Sequence, residues 1–137
     1  MDDAERASVE ERNRLHRLRE APARRRLEQA VLGSDYGASS YTTLSQAAEL
    51  ATRMQLGPGV SLLDLGAGSG WPGLHLAKVT GCRVVLADQP AEGLRIAQQR
   101  ALEDGIADRC GIVQSSGDPL PFRSEVFDAV THTDVLC

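Results

Sequence analysis

Apolar and polar positions along this chain follow two alternating periods, and each period predicts a different element. Residues 60–65 read Val-Ser-Leu-Leu-Asp-Leu, a short and mostly apolar run of the kind found in a strand buried on both faces of a parallel sheet. Comparable runs recur at Arg83-Val84-Val85-Leu86-Ala87-Asp88, from Cys110 to about Gln114, and around Phe127-Asp128-Ala129-Val130. Between them the spacing lengthens to that of a helix. Leu44, Ala47, Ala48, Ala51 and Met54 fall on one helical face, capped by Thr42 or Thr43, before Gly57-Pro58-Gly59. Leu74, Ala77 and Lys78 lie on a second helix that stops at Gly81. Leu94, Ala97, Ala101 and Leu102 mark a third over residues 90–103, closed by Gly105. Strand and helix in alternation predict an α/β fold, a Rossmann-like parallel sheet of about four strands with helices on both faces.

Residues 1–32 carry both signs of charge, with Leu15, Leu18, Leu27 and Val31 as a thin apolar stripe and Arg24-Arg25-Arg26 as the densest basic point. They predict two N-terminal helices, broken near Pro22 and packed loosely on the rest. The chain therefore divides into a charged helical extension, 1–32, and an α/β domain, 33–137. A glycine- and serine-rich loop, 33–43, joins them.

The first strand runs straight into glycines at 66, 68, 70 and 73, with Pro72 at the expected start of the next helix. A buried strand that turns through glycines into a helix is how α/β folds bring bare backbone and N–H groups up to a ligand. Gly68-x-Gly70-x-x-Gly73 matches the dinucleotide fingerprint, so an NAD-binding domain is one reading. The longer pattern from Asp64, D-x-G-x-G-x-G, favours a cationic or amino-bearing ligand, because a carboxylate beside a pyrophosphate is repulsive. A turn with no ligand at all is the bland alternative.

On these residues the stretch LLDLGAGSG resembles the first motif of the class I S-adenosylmethionine-dependent methyltransferases. That resemblance implies S-adenosyl-L-methionine as cofactor, held by Asp64, Gly66, Ala67, Gly68 and Gly70. Asp88 lies about 20 residues past the glycines, where a ribose-binding carboxylate belongs, and Gln89 follows it; Asp88 as a simple cap for the next helix is the alternative. Ser115-Ser116-Gly117-Asp118-Pro119-Leu120-Pro121-Phe122 is similar to the family's G-D-A-x-x-L-P-F loop. Anchored on Leu120-Pro121-Phe122, the family's adenine-binding acid falls on Ser116, with Gly117 and Asp118 as further adenine candidates. The residues from Val126 to Leu136 resemble the fourth motif, F-D-x-V and its sequel, and bring Thr131 and His132 to the cofactor. Tyr36 and Tyr41 are candidates for the methionine end, or else packing anchors. His132 and Asp134 are the candidates for a catalytic base; His75 and His16 read as structural or surface histidines.

The family's strand order, 3-2-1-4-5-7-6, implies that this chain supplies the 3-2-1-4 half and is truncated after its fourth strand. The fourth strand is then expected to be a bare edge covered by another chain, such as a second copy in a homodimer. The expected activity is methyl transfer to a small-molecule acceptor, reduced in truncated form to cofactor binding, with a non-catalytic remnant or interaction module as the alternative.

Composition trims the choices. A formal charge of -4 and a pI near 5.3 argue against nucleic acid as an obligatory partner. No apolar run reaches the roughly 20 residues of a membrane span. Cys82, Cys110 and Cys137 lack metal-ligand spacing, so no metal is expected and buried thiols in a cytoplasmic setting are.

Overall fold

The computed structural model describes residues 1–36 and 42–133. In chain order its elements are α1 (Asp3–Arg19), α2 (Pro22–Leu32), α3 (Leu44–Arg53), β1 (Ser61–Leu65), α4 (Gly73–Thr80), β2 (Arg83–Asp88), α5 (Ala91–Glu103), β3 (Cys110–Gln114) and β4 (Ala129–Thr131). The four strands form one parallel sheet in the order β3-β2-β1-β4. Their carboxyl ends therefore lie along one rim of the sheet, Leu65 opposite Ala87 and Asp64 opposite both Leu86 and Thr131.

Local chemistry explains the element boundaries. Thr43 caps α3 and Gln46 reaches back to its amide, a reciprocal capping box. Gly81 ends α4 in the left-handed region that a side chain resists, at φ 78°. Pro72 stands one place earlier than expected, as the residue before the first turn of α4. Asp128 of the F-D-x-V motif fastens β4 to β1: Ser61 N donates to Asp128 Oδ2 at 2.8 Å and Asp128 N donates to Ser61 O at 2.8 Å.

The core is one cluster. Leu62, Val84 and Leu86 from the sheet meet Ala47 of α3, Leu74, Leu76 and Ala77 of α4, and Leu94, Ala97 and Ala101 of α5. Each fully buried leucine here contributes about 1.5–3 kcal/mol of apolar burial. The strand residues in that cluster sit at alternate positions, so the described helices gather on a single face of the sheet. The two-sided helical cover expected from the sequence is one-sided among the described residues. The other face looks onto a groove of about 510 Å³ lined by Val85, Gly111, Val113, Phe122, Val126 and Phe127. Cys82 and Cys110 are free thiols, and burial pushes the Cys110 thiol up to about 11, which leaves it unreactive at neutral pH.

The N-terminal helices dock by a surface that the apolar stripe did not indicate. Leu18, Leu27 and Val31 are 55%, 58% and 68% exposed. The face that α1 turns to α5 is polar: Arg12 Nη2 donates to Gln89 Oε1 at 2.7 Å, Asn13 Oδ1 accepts from Glu92 N at 2.9 Å, and Glu20 Oε1 holds Arg100 Nη2 at 2.6 Å. His16 is buried among them.

Candidate functional site

At the carboxyl rim, β1 ends in Leu65 and the chain folds back on itself through Gly66, Ala67, Gly68 and Gly70. Three of these are glycines at φ 74°, 53° and 102°, conformations in which a Cβ is penalised. The turn closes by its own amides. Gly66 N and Ala67 N both donate to Ala87 O, at 2.8 and 3.2 Å, and Gly70 N donates to Ala67 O at 2.8 Å. Gly68 N donates to the Asp88 carboxylate at 2.7 Å and Gly73 N to the Asp64 carboxylate at 2.9 Å. These amides are engaged inside the protein and do not form an open anion cradle.

Asp88 stands at the end of β2 with both oxygens anchored, Oδ2 by Gly68 N and Oδ1 by Gln89 N at 2.7 Å. Each carboxylate oxygen can accept a further hydrogen bond, and the group is only half-buried. It does not cap α5, whose first turn is capped by Asn13. Gln89 joins two neighbours: its side chain meets Arg12, and its carbonyl accepts from Gln114 Nε2 at 2.9 Å. Ser115 N donates to Asp88 O at 2.9 Å, bringing the loop after β3 beside the acid. In that loop Ser116 and Asp118 are exposed; Ser116 Oγ donates to Asp118 O at 3.3 Å and Gly117 N to Ser115 Oγ at 3.2 Å.

Asp64 corrects the sequence reading. It was expected to point at a ligand, yet it is 1% exposed and both oxygens are used within the protein, Oδ2 by Gly73 N and Oδ1 by Thr131 Oγ at 3.0 Å. Alternation explains this: Asp64 shares a face with Leu62, the face that α4 covers. Thr131 is buried with it. Burial pushes Asp64 up to about 7, against the two hydrogen bonds that favour the carboxylate and with the nearby Asp88 charge adding to the rise.

A pH dependence follows. The folded state holds a proton at Asp64 that the unfolded chain releases near pH ~4. That contribution to stability is complete at low pH and is lost as the pH rises through about 7. Denaturant melts from pH 5 to 8 are expected to show a loss of about 2–3 kcal/mol that Asp64→Asn lacks; parallel pH profiles in the two proteins would remove this assignment.

His132 is exposed at the end of β4, with Nδ1 3.3 Å from Leu65 O. Tyr36 faces elsewhere: its hydroxyl donates to Asp104 Oδ2 at 2.6 Å, its ring packs on Trp71 with centroids 5.6 Å apart, and Arg100 lies over it. Its side chain is a packing anchor, while its carbonyl accepts from Ser69 Oγ at 2.8 Å at the back of the turn. Tyr41 and Asp134 lie outside the described residues. His75 packs against Trp71, and burial lowers its basicity. The residues that sequence reasoning missed are Arg12, Asn13 and Glu20, whose polar character is the same in a solvated helix face; His16, read as a structural or surface histidine, is buried.

The rim thus gathers a half-buried carboxylate, a tight glycine turn and a polar loop at the ends of adjacent parallel strands, the usual ligand position in open α/β sheets. This defines a candidate ligand crevice. Residues 62–137 match the sequence profile of the family described as "Methyltransferase domain", and the chain belongs to that family, the class I S-adenosylmethionine-dependent methyltransferases. It is 31% identical over 97 residues to methyltransferase GfsG of Streptomyces halstedii, covering 67% of this chain and 35% of that protein. It is 33% identical over 76 residues to the ubiquinone/menaquinone biosynthesis C-methyltransferase UbiE of Vibrio parahaemolyticus, covering 54% and 29%. The chain thus spans about a third of the length of these relatives. Among solved structures, a methyltransferase from Thiobacillus denitrificans in complex with S-adenosyl-L-homocysteine superposes with a TM-score of 0.58 at 25% identity, over 64% of this chain and 35% of that one. The [4+2]-cyclase SpnF superposes at 0.59 with 29% identity, over 63% and 32%.

Among the described residues no group of His, Cys, Asp and Glu is placed to hold a metal, and no helix is long and apolar enough to cross a membrane.

Proposed function

We propose that the crevice binds S-adenosyl-L-methionine and that the chain is the cofactor-binding part of a methyltransferase acting on a small molecule. One observation carries the choice of ligand: the amides of Gly66, Ala67, Gly68 and Gly70 are engaged within the protein. A dinucleotide pyrophosphate needs free N–H donors at this turn, whereas the Asp88 carboxylate suits a ribose of either ligand and does not discriminate. A neutral ribose beside a sulfonium cation needs a carboxylate and bare backbone. In this reading Asp88 accepts both ribose hydroxyls, the glycines let the adenosyl group lie close, and Ser116, Gly117 and Asp118 edge the adenine. Thr131 holds Asp64 rather than the ligand.

The cofactor supplies a methyl group already activated on sulfur, so the protein's work is alignment and exclusion of water. His132 lies at the rim where a base is useful for a hydroxyl or ammonium acceptor. In the tautomer that donates from Nδ1 to Leu65 O, Nε2 keeps a lone pair for that purpose. A small-molecule acceptor is supported by the names of relatives, a quinone-biosynthesis C-methyltransferase and a sterol methyltransferase-like protein, and by the net charge of -4. A second reading, cofactor binding in support of another activity, is favoured by the likeness to a protein named a cyclase.

Titration calorimetry decides the ligand. S-adenosylhomocysteine is expected to bind and NAD is not; tight NAD binding with no response to the former would overturn the proposal. Trp71, the single tryptophan, is buried between the turn and α4 and gives a fluorescence readout of the same event. Incubation with labelled cofactor and a panel of phenols, amines and acids then distinguishes turnover from binding alone.

A further inference from the structure

Helix α5 begins without a cap of its own. Pro90, the residue before its first turn, has no side chain able to accept from the exposed amides, and no side chain of the same segment does so. The acceptor comes from α1: Asn13 Oδ1 takes Glu92 N at 2.9 Å, across 79 residues of sequence. Only Gln89 and Pro90 separate Asp88 from this helix, and Gln89 is itself held by Arg12, one residue before Asn13. One helical turn further on, His16 is buried where a Cβ on Gly93 would lie 2.9 Å from its Nε2 and 3.0 Å from the Gly68 carbonyl. Another turn on, Glu20 pairs with Arg100, whose Nη1 donates to Ser69 O at 3.1 Å in the glycine turn. The inner face of α1 therefore touches both halves of the nucleoside crevice, the acid loop and the glycine turn, along Arg12, Asn13, His16 and Glu20. Asp88 and Gln89 are also held by Gly68, Ser115 and Gln114, but the side-chain cap on the first turn of α5 comes from α1.

We propose, on the strength of the adenosyl-binding reading above, that Asn13 is a positioning residue for the cofactor: it caps α5 from outside and thereby sets the Asp88 carboxylate against Gly68. It touches no ligand. Asn13→Ala frees the Glu92 amide, lets the Asp88–Glu92 segment relax and weakens the ribose clasp. Asn13→Asp keeps an acceptor in place, favoured by the partial positive charge of a helix start.

The test measures S-adenosylhomocysteine affinity of the full chain by calorimetry, with hydrogen exchange at the Glu92 amide as an independent readout. Asn13→Ala is expected to weaken binding about fivefold, the size of a lost cap, and to speed exchange at Glu92, while Asn13→Asp restores both. In an Asp88→Ala background, Asn13→Ala is expected to cause no further loss, because its effect passes through Asp88. Wild-type affinity in Asn13→Ala, or a fivefold loss that persists without Asp88, would overturn the proposal and leave the adenosyl reading standing. Absence of any binding by the wild-type chain would overturn that reading, and this inference with it.

Discussion

Asp88→Ala is expected to weaken S-adenosylhomocysteine binding by about 10- to 100-fold, about 1.4–2.7 kcal/mol, in the range carried by hydrogen bonds to a charged acceptor. The prediction rests on where the carboxylate stands. It closes β2 at the rim, one oxygen receives Gly68 N, the other receives Gln89 N, and both retain lone pairs. Removing it does two things: it deletes the ribose acceptor and it frees the Gly68 amide. A dideoxy analogue that lacks both ribose hydroxyls separates them. The wild-type chain is expected to prefer the natural nucleoside by most of the 10- to 100-fold factor, and Asp88→Ala to lose that preference. A wild-type chain that binds both ligands equally would take Asp88 out of the ribose contact. Asp88→Asn, which keeps an oxygen for Gly68 N, is expected to preserve the Trp71 fluorescence while losing affinity.

The sheet was legible because its strands are apolar on both faces and its helices are punctuated by Gly57, Gly81 and Gly105. Strand order and the ends of β2 and β3 come out as read. What the residues hid has one cause, polar groups that serve the interior. Asp64 looks like a ligand contact when only its distance from the glycines is considered. Its parity with Leu62 puts it on the helix-covered face instead, where Gly73 N and Thr131 satisfy it. The glycine amides look free in a one-dimensional pattern; the return of the chain beneath β2 gives them Ala87 O. Amphipathicity failed for α1 because the surface it meets is not apolar. The start of α5 offers an amide, Gly93 offers room for an imidazole, and Arg100 offers a charge, so the matching face is Asn13, His16 and Glu20, while Leu18 stays in solvent. Of the two readings open for Tyr36, the packing anchor holds, since its hydroxyl donates to Asp104 and its ring packs on Trp71.

Gly73→Ala is expected to destabilise the chain by about 2–5 kcal/mol. A Cβ there would fall on Asp64 Oδ2, 2.9 Å from Asp64 Cβ and 2.8 Å from Leu86 Cδ2. Asp64 and Leu86 are both buried in the core beneath α4 and have no free volume to move into. Overpacking of this kind costs about 1–3 kcal/mol, and displacing the carboxylate from Gly73 N leaves a buried group short of a partner for a similar amount. Gly57→Ala is the control, because a Cβ at that position meets nothing within 4 Å, and its denaturation midpoint is expected to stay at the wild-type value. The two pH effects also connect. Gly73 N is one of the two hydrogen bonds that favour ionised Asp64, so its loss raises the carboxyl further and makes the charged form harder to accommodate. The deficit of Gly73→Ala is therefore expected to widen as the pH rises from 5 to 8 and to lose that widening when Asp64→Asn is added. A deficit that is the same at both pH values would mean that the methyl clashes with Leu86 alone, and that the Asp64–Gly73 bond is not what fixes the start of α4.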